Sequence, residues 1–332
     1  MTQTQETFQQ LRNYINKQII GQPDLVDRLL LALLCDGHLL VEGAPGLAKT
    51  KVVKVLSNLI DAVAHRIQFT PDLLPADITG SDVFRPATAT FYFQKGPIFN
   101  NLILADEINR APAKVQSALL EAMGERQVTV GNTTYQLPPL FTVMATQNPI
   151  ENEGTYRLPE AQLDRFLMYV IINHPDIESE RKILKLIQKE EKKEPLPPFT
   201  KIKEKEIMLA RQEVLSIPMA AELEEYIVQF VMATRHPEAY GEDVAKLLQY
   251  GVSPRGTIAL DLVSRATAWL AGRDYVVPKD IQSAIPDVLR HRIILSFEAK
   301  SARMTLCSFS KQSGQRTTAL GSICLIGLPS SS

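Results

Sequence analysis

Apolar residues in the first half of the chain recur in two patterns that predict different elements. Phe8, Leu11, Ile15 and Ile19 stand three or four positions apart, which is the spacing of an amphipathic helix. Other stretches are short and mostly apolar, which suggests strands buried in a parallel sheet. These stretches are residues 38–41, 66–70, 102–105, 141–146 and 166–172. Helical stretches separate them, so the first half is predicted to be an α/β fold in which helices flank a parallel sheet.

The second half of the chain has a helical pattern. It begins after residues 188–199, QKEEKKEPLPPF, where a charge run followed by prolines predicts a linker. Leu223, Ile227 and Phe230 form one apolar stripe, and a further helix is predicted to start at Pro254. The expected organisation is an α/β domain at 1–196, a smaller all-α domain at 197–300 and a tail at 301–332.

Residues 301–332 differ from the rest of the chain in composition. They contain three basic residues and no acidic one, are rich in serine and threonine, and show no sustained period. This composition predicts a disordered tail, and a tail that is not native to the protein is the alternative. Candidate functional residues are therefore sought in residues 1–300.

The overall composition argues against several classes of protein. With 332 residues, 22% of them charged, and a net charge of −1, the chain lacks the basic field of a general nucleic-acid binder. Cys35, Cys307 and Cys324 form no CxxC pair, which indicates a reducing compartment. The N-terminus is polar, and no uncharged apolar run reaches the roughly 18 residues that cross a bilayer. We expect a cytoplasmic protein with no membrane partner.

Residues 43–50, GAPGLAKT, are close to the phosphate-binding pattern GxxxxGK[ST]. They follow a predicted strand and open a predicted helix, so backbone N–H groups and the positive helix end are suited to hold phosphates. Lys49 adds a charge for the outer phosphates, and the hydroxyl of Thr50 is suited to bind Mg²⁺. A plain glycine turn between strand and helix is the alternative. The candidate phosphate-binding residues are Gly43, Ala44, Pro45, Gly46, Leu47, Ala48, Lys49 and Thr50.

One residue of this loop departs from the pattern. Ala48 stands where the second glycine is expected, while an additional glycine lies earlier, at Gly46. We expect Ala48 to adopt a backbone angle that is open to any residue, so that the loop keeps its function.

Two adjacent carboxylates end the apolar run LILADE at residues 102–107. A buried strand would deliver Asp106 and Glu107 to its carboxyl end, where open α/β sheets bind ligands. Asp106 is expected to hold Mg²⁺, and Glu107 to orient and polarise the attacking water. A solvated strand end is the alternative for this pair.

Three further polar residues are candidates because of their context. Asn148 follows the apolar run at 141–146, and would lie beside Glu107 if the two strands are neighbours. Arg165 follows a short predicted helix, and its fixed charge and fork geometry would suit a finger that reaches a neighbouring subunit's nucleotide. Arg255 lies in the first turn of a helix, where a cation opposes the helix dipole and a phosphate partner is favoured. A turn residue and two surface arginines are the respective alternatives.

Together these motifs make the chain similar to the MoxR family of AAA+ ATPases, over roughly residues 5–298. The shared form of the phosphate loop includes the alanine at position 48. The motifs that carry the resemblance are IIGQ at 19–22, GAPGLAKT at 43–50, DEINRAP at 106–112, ATQNP at 145–149, LPEAQLDRF at 158–166 and SPRG at 253–256.

The resemblance implies an AAA+ core with a smaller all-α lid domain, nucleotide between the two, and a homo-oligomer that is expected to be a hexameric ring. It implies Asn148 as sensor 1, Arg165 as arginine finger and Arg255 as sensor 2. Gly21 and Gln22 lie where AAA+ proteins contact adenine. Two insertions, at 70–84 and 127–136, are implied to face the ring pore or a client. The second alternates around Gly131-Asn132 and predicts a hairpin.

The resulting functional expectation is a Mg²⁺-dependent ATPase. By resemblance, it couples ATP hydrolysis to chaperone-like remodelling or maturation of a partner complex, including metal or cofactor insertion, with von Willebrand A-domain proteins as clients. A nucleic-acid motor is one alternative, which the near-neutral charge disfavours, so a nucleic-acid partner is not expected. A magnesium-chelatase-type subunit and a non-enzymatic nucleotide-gated scaffold are the others. The presence of Lys49, Asp106 and Glu107 disfavours the scaffold.

Overall fold

The computed structural model of the chain describes residues 1–149, 155–192, 198–240, 245–246 and 248–296. The predicted tail, Cys307, Cys324 and the centre of the predicted linker lie outside these ranges. The described residues form two compact units. One unit comprises residues 7–166 and 170–209, and the other comprises 1–6, 167–169 and the chain from 210 onward. The domain boundaries expected from the sequence stay a prediction.

The described strands build one parallel sheet and three antiparallel pairs. The sheet has the order β2-β5-β8-β1-β9. The described strands are β1 (Leu39–Glu42), β2 (Ala64–Gln68), β3 (Gly80–Arg85), β4 (Thr90–Lys95), β5 (Leu102–Asp106), β6 (Gln127–Val130), β7 (Thr133–Gln136), β8 (Thr142–Gln147), β9 (Met168–Ile171), β10 (Leu248–Tyr250) and β11 (Ile294–Leu295).

The centre of the sheet is apolar because its strands are covered on both faces. Every residue of β1 and β5 is buried, and so are the first five residues of β8. β8 pairs in parallel with both β1 and β5, and β5 pairs in parallel with β2. The predicted parallel sheet is thus confirmed. Its parallel strands bring the residues that end β1, β2, β5 and β8 to the same edge.

Helices connect and flank these strands. In the described part they are α1 (Gln3–Gln18), α2 (Pro23–Leu34), α3 (Lys49–Leu59), α4 (Pro75–Thr79), α5 (Ala113–Glu125), α6 (Glu160–Leu163), α7 (Ile177–Glu191), α8 (Glu204–Ser216), α9 (Ala221–Arg235), α10 (Pro254–Leu270) and α11 (Pro278–Leu289). The predicted linker at 188–199 is wrong for its first four residues, which belong to α7. Glutamate and lysine are good helix formers, so this charge run extends the helix.

The insertion at 127–136 forms an antiparallel hairpin, whereas the insertion at 70–84 comprises α4 and most of β3, whose partner strand β4 lies beyond it. The two hairpins contact each other. β3 pairs with β4, and β6 pairs with β7 as the sequence predicted for residues 127–136. The ring of Phe93 in β4 stacks on that of Tyr135 in β7, with centroids 4.0 Å apart. Near the tip of the first hairpin, Phe84 and Phe91 face each other across the strands and are both exposed.

From residue 210 onward, the described part of the second unit is mainly helical and includes the short antiparallel pair of β10 and β11. Trp269 in α10 is buried, and its indole N–H donates to Oε2 of Glu213 in α8 at 3.0 Å. No described helix of either unit combines the length and the apolar character that crossing a membrane requires.

Candidate active site

The phosphate-loop candidate lies between the end of β1 and the start of α3, as expected. Gly43 is buried against Ile172, the residue that follows β9, because a Cβ atom on Gly43 would lie 2.4 Å from Cγ1 of Ile172. Gly46 has a φ of +86° and open space around its missing side chain. The amine of Lys49 donates to the carbonyl of Gly43 at 2.5 Å, which closes the loop on itself.

Ala48 does not have the ordinary backbone angle that we expected. Its φ of +58° and ψ of 15° place it in the left-handed region, where a Cβ atom costs roughly 1–2 kcal/mol. The turn therefore requires at position 48 the conformation for which the common pattern uses glycine. Ala48 also precedes α3 without providing a side-chain cap. An uncapped helix start leaves N–H groups that are suited to an anion.

Lys49 lies among three carboxylates. Burial lowers the pKa of its amine, and the negative charges of Asp106, Glu107 and Glu42 oppose that shift. Glu42 ends β1 and accepts a hydrogen bond from the amide of Gln147 at 2.7 Å. The end of the phosphate loop and the acidic pair therefore share one electrostatic environment.

Asp106 ends β5 and is largely buried. Its Oδ1 accepts a hydrogen bond from the hydroxyl of Thr146 in β8 at 2.6 Å. Its Oδ2 accepts from Nε of Arg66 at 3.0 Å and from Nη2 of the same residue at 2.6 Å. Neighbours on both sides in the sheet thus fix the orientation of this carboxylate.

Glu107 follows in a strained backbone conformation. Its φ of +58° is in the left-handed region, which costs about 1–3 kcal/mol for such a residue and is found mainly at functional sites. Its N–H donates to the hydroxyl of Thr146 at 3.0 Å. Its Oε2 accepts from Gln68 at 2.9 Å and from Arg110 at 3.0 Å. The carboxylate is therefore turned back towards β2 by its hydrogen-bond donors.

Asn148 and the Gly21-Gln22 pair are further candidates in the first unit. Asn148 directly follows β8, the strand next to β5, and is 9% exposed. Gly21 has a φ of +80°, and a Cβ atom there would lie 2.9 Å from Cβ of Pro175. The amide of the buried Gln22 donates to the carbonyl of Asn173 at 2.8 Å. Gly21 and Gln22 thus pack on the segment that leads into α7.

The two candidate arginines differ in burial and in the unit to which they belong. Arg165 is partly buried, and its Nη1 donates to the carbonyl of Leu120 in α5 at 2.6 Å. The same atom lies 2.4 Å from the position that a Cβ atom on Gly124 would occupy. Arg255 lies in the second unit, in the first turn of α10, with an exposed side chain.

The structure adds polar residues that the sequence did not single out. Arg66 and Gln68 lie in β2, and Thr146 lies in β8. Each is a polar residue in a strand of the sheet, and only the pairing of strands shows which carboxylate it meets. The signal available in the sequence was the break in apolar character at these positions.

The sequence matches two described families. The family described as "ATPase family associated with various cellular activities (AAA)" matches residues 38–168. The family described as "AAA lid domain" matches residues 241–306. The first match contains the phosphate loop, both acidic residues, Asn148 and Arg165. The second contains Arg255.

Individual proteins are similar over most of their length. "Chaperone MoxR1" of Mycobacterium tuberculosis is 46% identical over 288 residues, which cover 86% of this chain and 75% of that protein. The uncharacterized protein YeaC of Bacillus subtilis is also 46% identical over 288 residues, covering 86% and 87% of the respective chains. A crystal structure of a Cytophaga hutchinsonii protein classed as an ATPase superposes with a TM-score of 0.86 at 42% identity, covering 95% of each chain.

Proposed function

Since the chain belongs to the MoxR family of AAA+ ATPases, which are ATP-hydrolysing enzymes, we propose that it couples Mg²⁺-dependent hydrolysis to chaperone-like remodelling of a partner protein. The observation that carries the proposal is the meeting of three charged groups. The amine of Lys49 lies in the field of Asp106 and Glu107 at the carboxyl edge of the sheet. A phosphate cation, a metal ligand and a water-activating carboxylate are the groups that phosphoryl transfer to water needs.

The residues present fit a magnesium ion. Thr50 and Asp106 offer a hydroxyl and a carboxylate, which are the hard oxygen ligands that Mg²⁺ prefers. In the described ranges no group of three or more His, Cys, Asp or Glu could hold a metal ion. Mg²⁺ is usually bound by one or two carboxylates together with substrate phosphates and waters. When bound, Mg²⁺ would neutralise charge that develops on the phosphates.

Each remaining candidate has a proposed role in the same reaction. The backbone of residues 43–50 would hold the phosphates, and Glu107 would orient a water and accept its proton. Asn148 would position that water, and Gly21 and Gln22 would contact the adenine. Arg165 would act on the nucleotide of the next subunit, and Arg255 on a phosphate, because arginine presents a fixed charge in a fork geometry.

We further propose that the protein is a homo-oligomer, a hexameric ring, that acts on a client protein. The name "Chaperone MoxR1" of the Mycobacterium tuberculosis relative supports action on a client, and so does the exposed aromatic pair Phe84 and Phe91 on the β3–β4 hairpin. A client with a von Willebrand A domain, and metal or cofactor insertion into a client complex, are the specific forms that we propose. We propose that the protein acts in the cytoplasm, where ATP is available.

A nucleotide-locked variant tests both the hydrolysis and the client. Tagged Glu107→Gln should bind ATP without turning it over, and should retain the client through affinity purification from the native cells. Wild-type protein should release the same client when ATP is added. Lys49→Ala, which lacks the phosphate cation, is the matched control and should retain none. Equal recovery with both variants, or absence of Mg²⁺-dependent hydrolysis by the wild type, would contradict the proposal.

A further inference from the structure

One buried amide in α5 gathers three backbone carbonyls that belong to two different segments. Gln116 is 1% exposed, so its side chain has no access to water. Its Nε2 lies 3.2 Å from the carbonyl of Ile108, 3.1 Å from that of Ala111 and 3.2 Å from that of Tyr156. A buried amide with several carbonyl acceptors is a costly arrangement unless every group is paired, so it fixes the segments that it joins.

The first two carbonyls belong to the turn that follows Glu107. The 3₁₀ helix Ile108–Arg110 is preceded by Glu107 and followed by Ala111, so the amide of Gln116 contacts it at its first residue and just beyond its last. The backbone conformation of Glu107 is strained, and such a conformation persists only where its surroundings determine it. Gln116 therefore supports the orientation of the carboxylate that we assign to water activation.

The third carbonyl belongs to the segment that leads to Arg165. Tyr156 is attached to the Glu107 turn a second time, because its N–H donates to the carbonyl of Asn109 at 2.6 Å. Further along the segment, Gln162 donates to Oγ of Ser117 at 3.2 Å. Arg165 itself donates to the carbonyl of Leu120. The segment is therefore attached to α5 at successive points, through Gln116, Ser117 and the carbonyl of Leu120.

We propose that Gln116 is a positioning residue that holds Glu107 for its own site and Arg165 for the site of the next subunit. The inference rests on the roles given to Glu107 and Arg165 in the proposed function. One amide then links two catalytic groups that serve different nucleotides. A misplacement of about 1 Å can cost a rate factor of about 10², so the loss of this anchor should reduce hydrolysis at both sites.

Mixed rings separate the two effects. Arg165→Ala has no finger, and Glu107→Gln has no working site of its own, so a mixture should regain activity only where a Glu107→Gln subunit supplies its arginine. Gln116→Met keeps the side-chain length but cannot donate a hydrogen bond. Adding it to the Glu107→Gln subunit tests the arginine alone. Adding it to the Arg165→Ala subunit tests the carboxylate alone.

We expect each of these two mixtures to hydrolyse ATP at least about tenfold more slowly than the reference mixture. Melting temperature, nucleotide affinity and co-assembly of differently tagged subunits are measured for every variant, and Gln229→Met, an exposed glutamine in α9, is the matched control. If Gln116→Met does not fold, Gln116→Asn, which keeps the amide on a shorter stem, takes its place.

The outcomes distinguish this inference from the function on which it rests. A reference mixture that recovers no activity despite co-assembly would remove the role of Arg165 in trans, which is a failure of the proposed function. A reference mixture that recovers, with both Gln116→Met mixtures equally fast, would overturn the inference about Gln116. A loss in only one mixture would overturn the claim that a single side chain positions both groups.

Discussion

Arg66 and Asp106 form an ion pair between neighbouring strands, with two guanidinium nitrogens on Oδ2 of the carboxylate at 3.0 and 2.6 Å. Arg66 has about half of its side chain exposed, whereas the Asp106 side chain is 12% exposed. The carboxylate proposed as a magnesium ligand is therefore paired with a cation of the same chain. A magnesium ion at Asp106 would share that carboxylate with the arginine, and the two positive charges would repel each other.

Arg66→Gln should therefore lower the magnesium concentration that the nucleotide complex needs. An exposed ion pair is worth up to about 1 kcal/mol, which corresponds to about a fivefold change. The measurement is the Mg²⁺ concentration that gives half of the thermal stabilisation by ADP. Arg85→Gln, on the exposed strand β3, has the same change of charge and should leave this concentration unaltered. A higher magnesium requirement in Arg66→Gln would show instead that Arg66 orients Asp106 for the metal.

The left-handed conformation of Ala48 predicts a graded response to substitution. The free energy of unfolding of Ala48→Gly should lie within about 1 kcal/mol of the wild-type value. Relief of the backbone strain offsets the greater conformational freedom of glycine in the unfolded chain. Ala48→Val should lose at least about tenfold in ATP affinity, because a β-branched residue at positive φ is a true outlier. Thermal unfolding and calorimetric titration measure the two quantities. Normal ATP affinity in Ala48→Val would show that the loop does not need this conformation when nucleotide binds.

Contiguous features of the fold and site could be predicted from the sequence. The phosphate loop follows a strand and opens a helix, and Asp106 and Glu107 end a buried strand, because spacing along the chain determines each of these local arrangements. The prediction for the backbone of Ala48 was wrong, because the residue type at one position does not reveal the backbone angle that the turn imposes. The start of β2 was placed two residues late, at Arg66 instead of Ala64, because most of this strand is exposed and polar.

The partners of the acidic pair could not be predicted in the same way. Arg66 and Thr146 each lie 40 positions from Asp106, and Gln68 lies 39 positions from Glu107. The parallel register of β2, β5 and β8 brings them together, and no local pattern encodes that register. Gln116 was missed for a related reason, since one polar residue on an apolar helix face gives no indication of three carbonyl partners.

Glu107→Gln should bind Mg·ATP with nearly wild-type affinity and fail to hydrolyse it. Glutamine keeps the size of the side chain and the contact with Arg110, but it removes the negative charge that accepts a proton from water. Loss of a general base costs about 10²- to 10⁴-fold in rate. Single-turnover hydrolysis measures the chemical step directly. A rate within a factor of about two of the wild type would place the water-activating group at another residue.

The N-terminus of α7 gives a pH dependence that can be tested. The N–H of Ser179 donates to Oδ1 of Asp176 at 2.8 Å, and this bond lowers the pKa of Asp176 below its ordinary value. A carboxyl whose pKa is lower in the folded state stabilises the fold above its unfolded pKa of about 3.9 and loses that effect as pH falls through the folded pKa. Asp176→Ala should therefore melt below the wild type at neutral pH.

The difference in melting temperature between Asp176→Ala and the wild type should shrink as the pH falls below about 4. Asp176→Asn keeps an oxygen acceptor for Ser179 without the titration, so its melting temperature relative to Asp176→Ala should not follow this pH course. Because Gly21 packs on Pro175 and Ser179, the same measurements made with ADP report whether this helix start supports nucleotide binding. An Asp176→Ala difference that is constant with pH would contradict the role of the charge.

The contact between Gly124 and Arg165 separates the proposed finger from a structural arginine. Gly124 is an exposed residue near the end of α5, so Gly124→Ala should stabilise the helix by up to about 1 kcal/mol. The new Cβ atom would lie 2.4 Å from Nη1 of Arg165, and the flexible guanidinium must move away. If Arg165 mattered only for folding, a Gly124→Ala variant as stable as the wild type would also keep the wild-type ATPase rate. We expect instead that its melting temperature is equal or higher and its ATPase rate is lower, with ATP affinity unchanged.

Arg165→Ala sets the lower limit of the ATPase rate, and Arg165→Lys should not restore the rate, because lysine can reach one acceptor but lacks the planar fork. Full activity of Gly124→Ala in assembled protein would contradict the finger role of the guanidinium at this position.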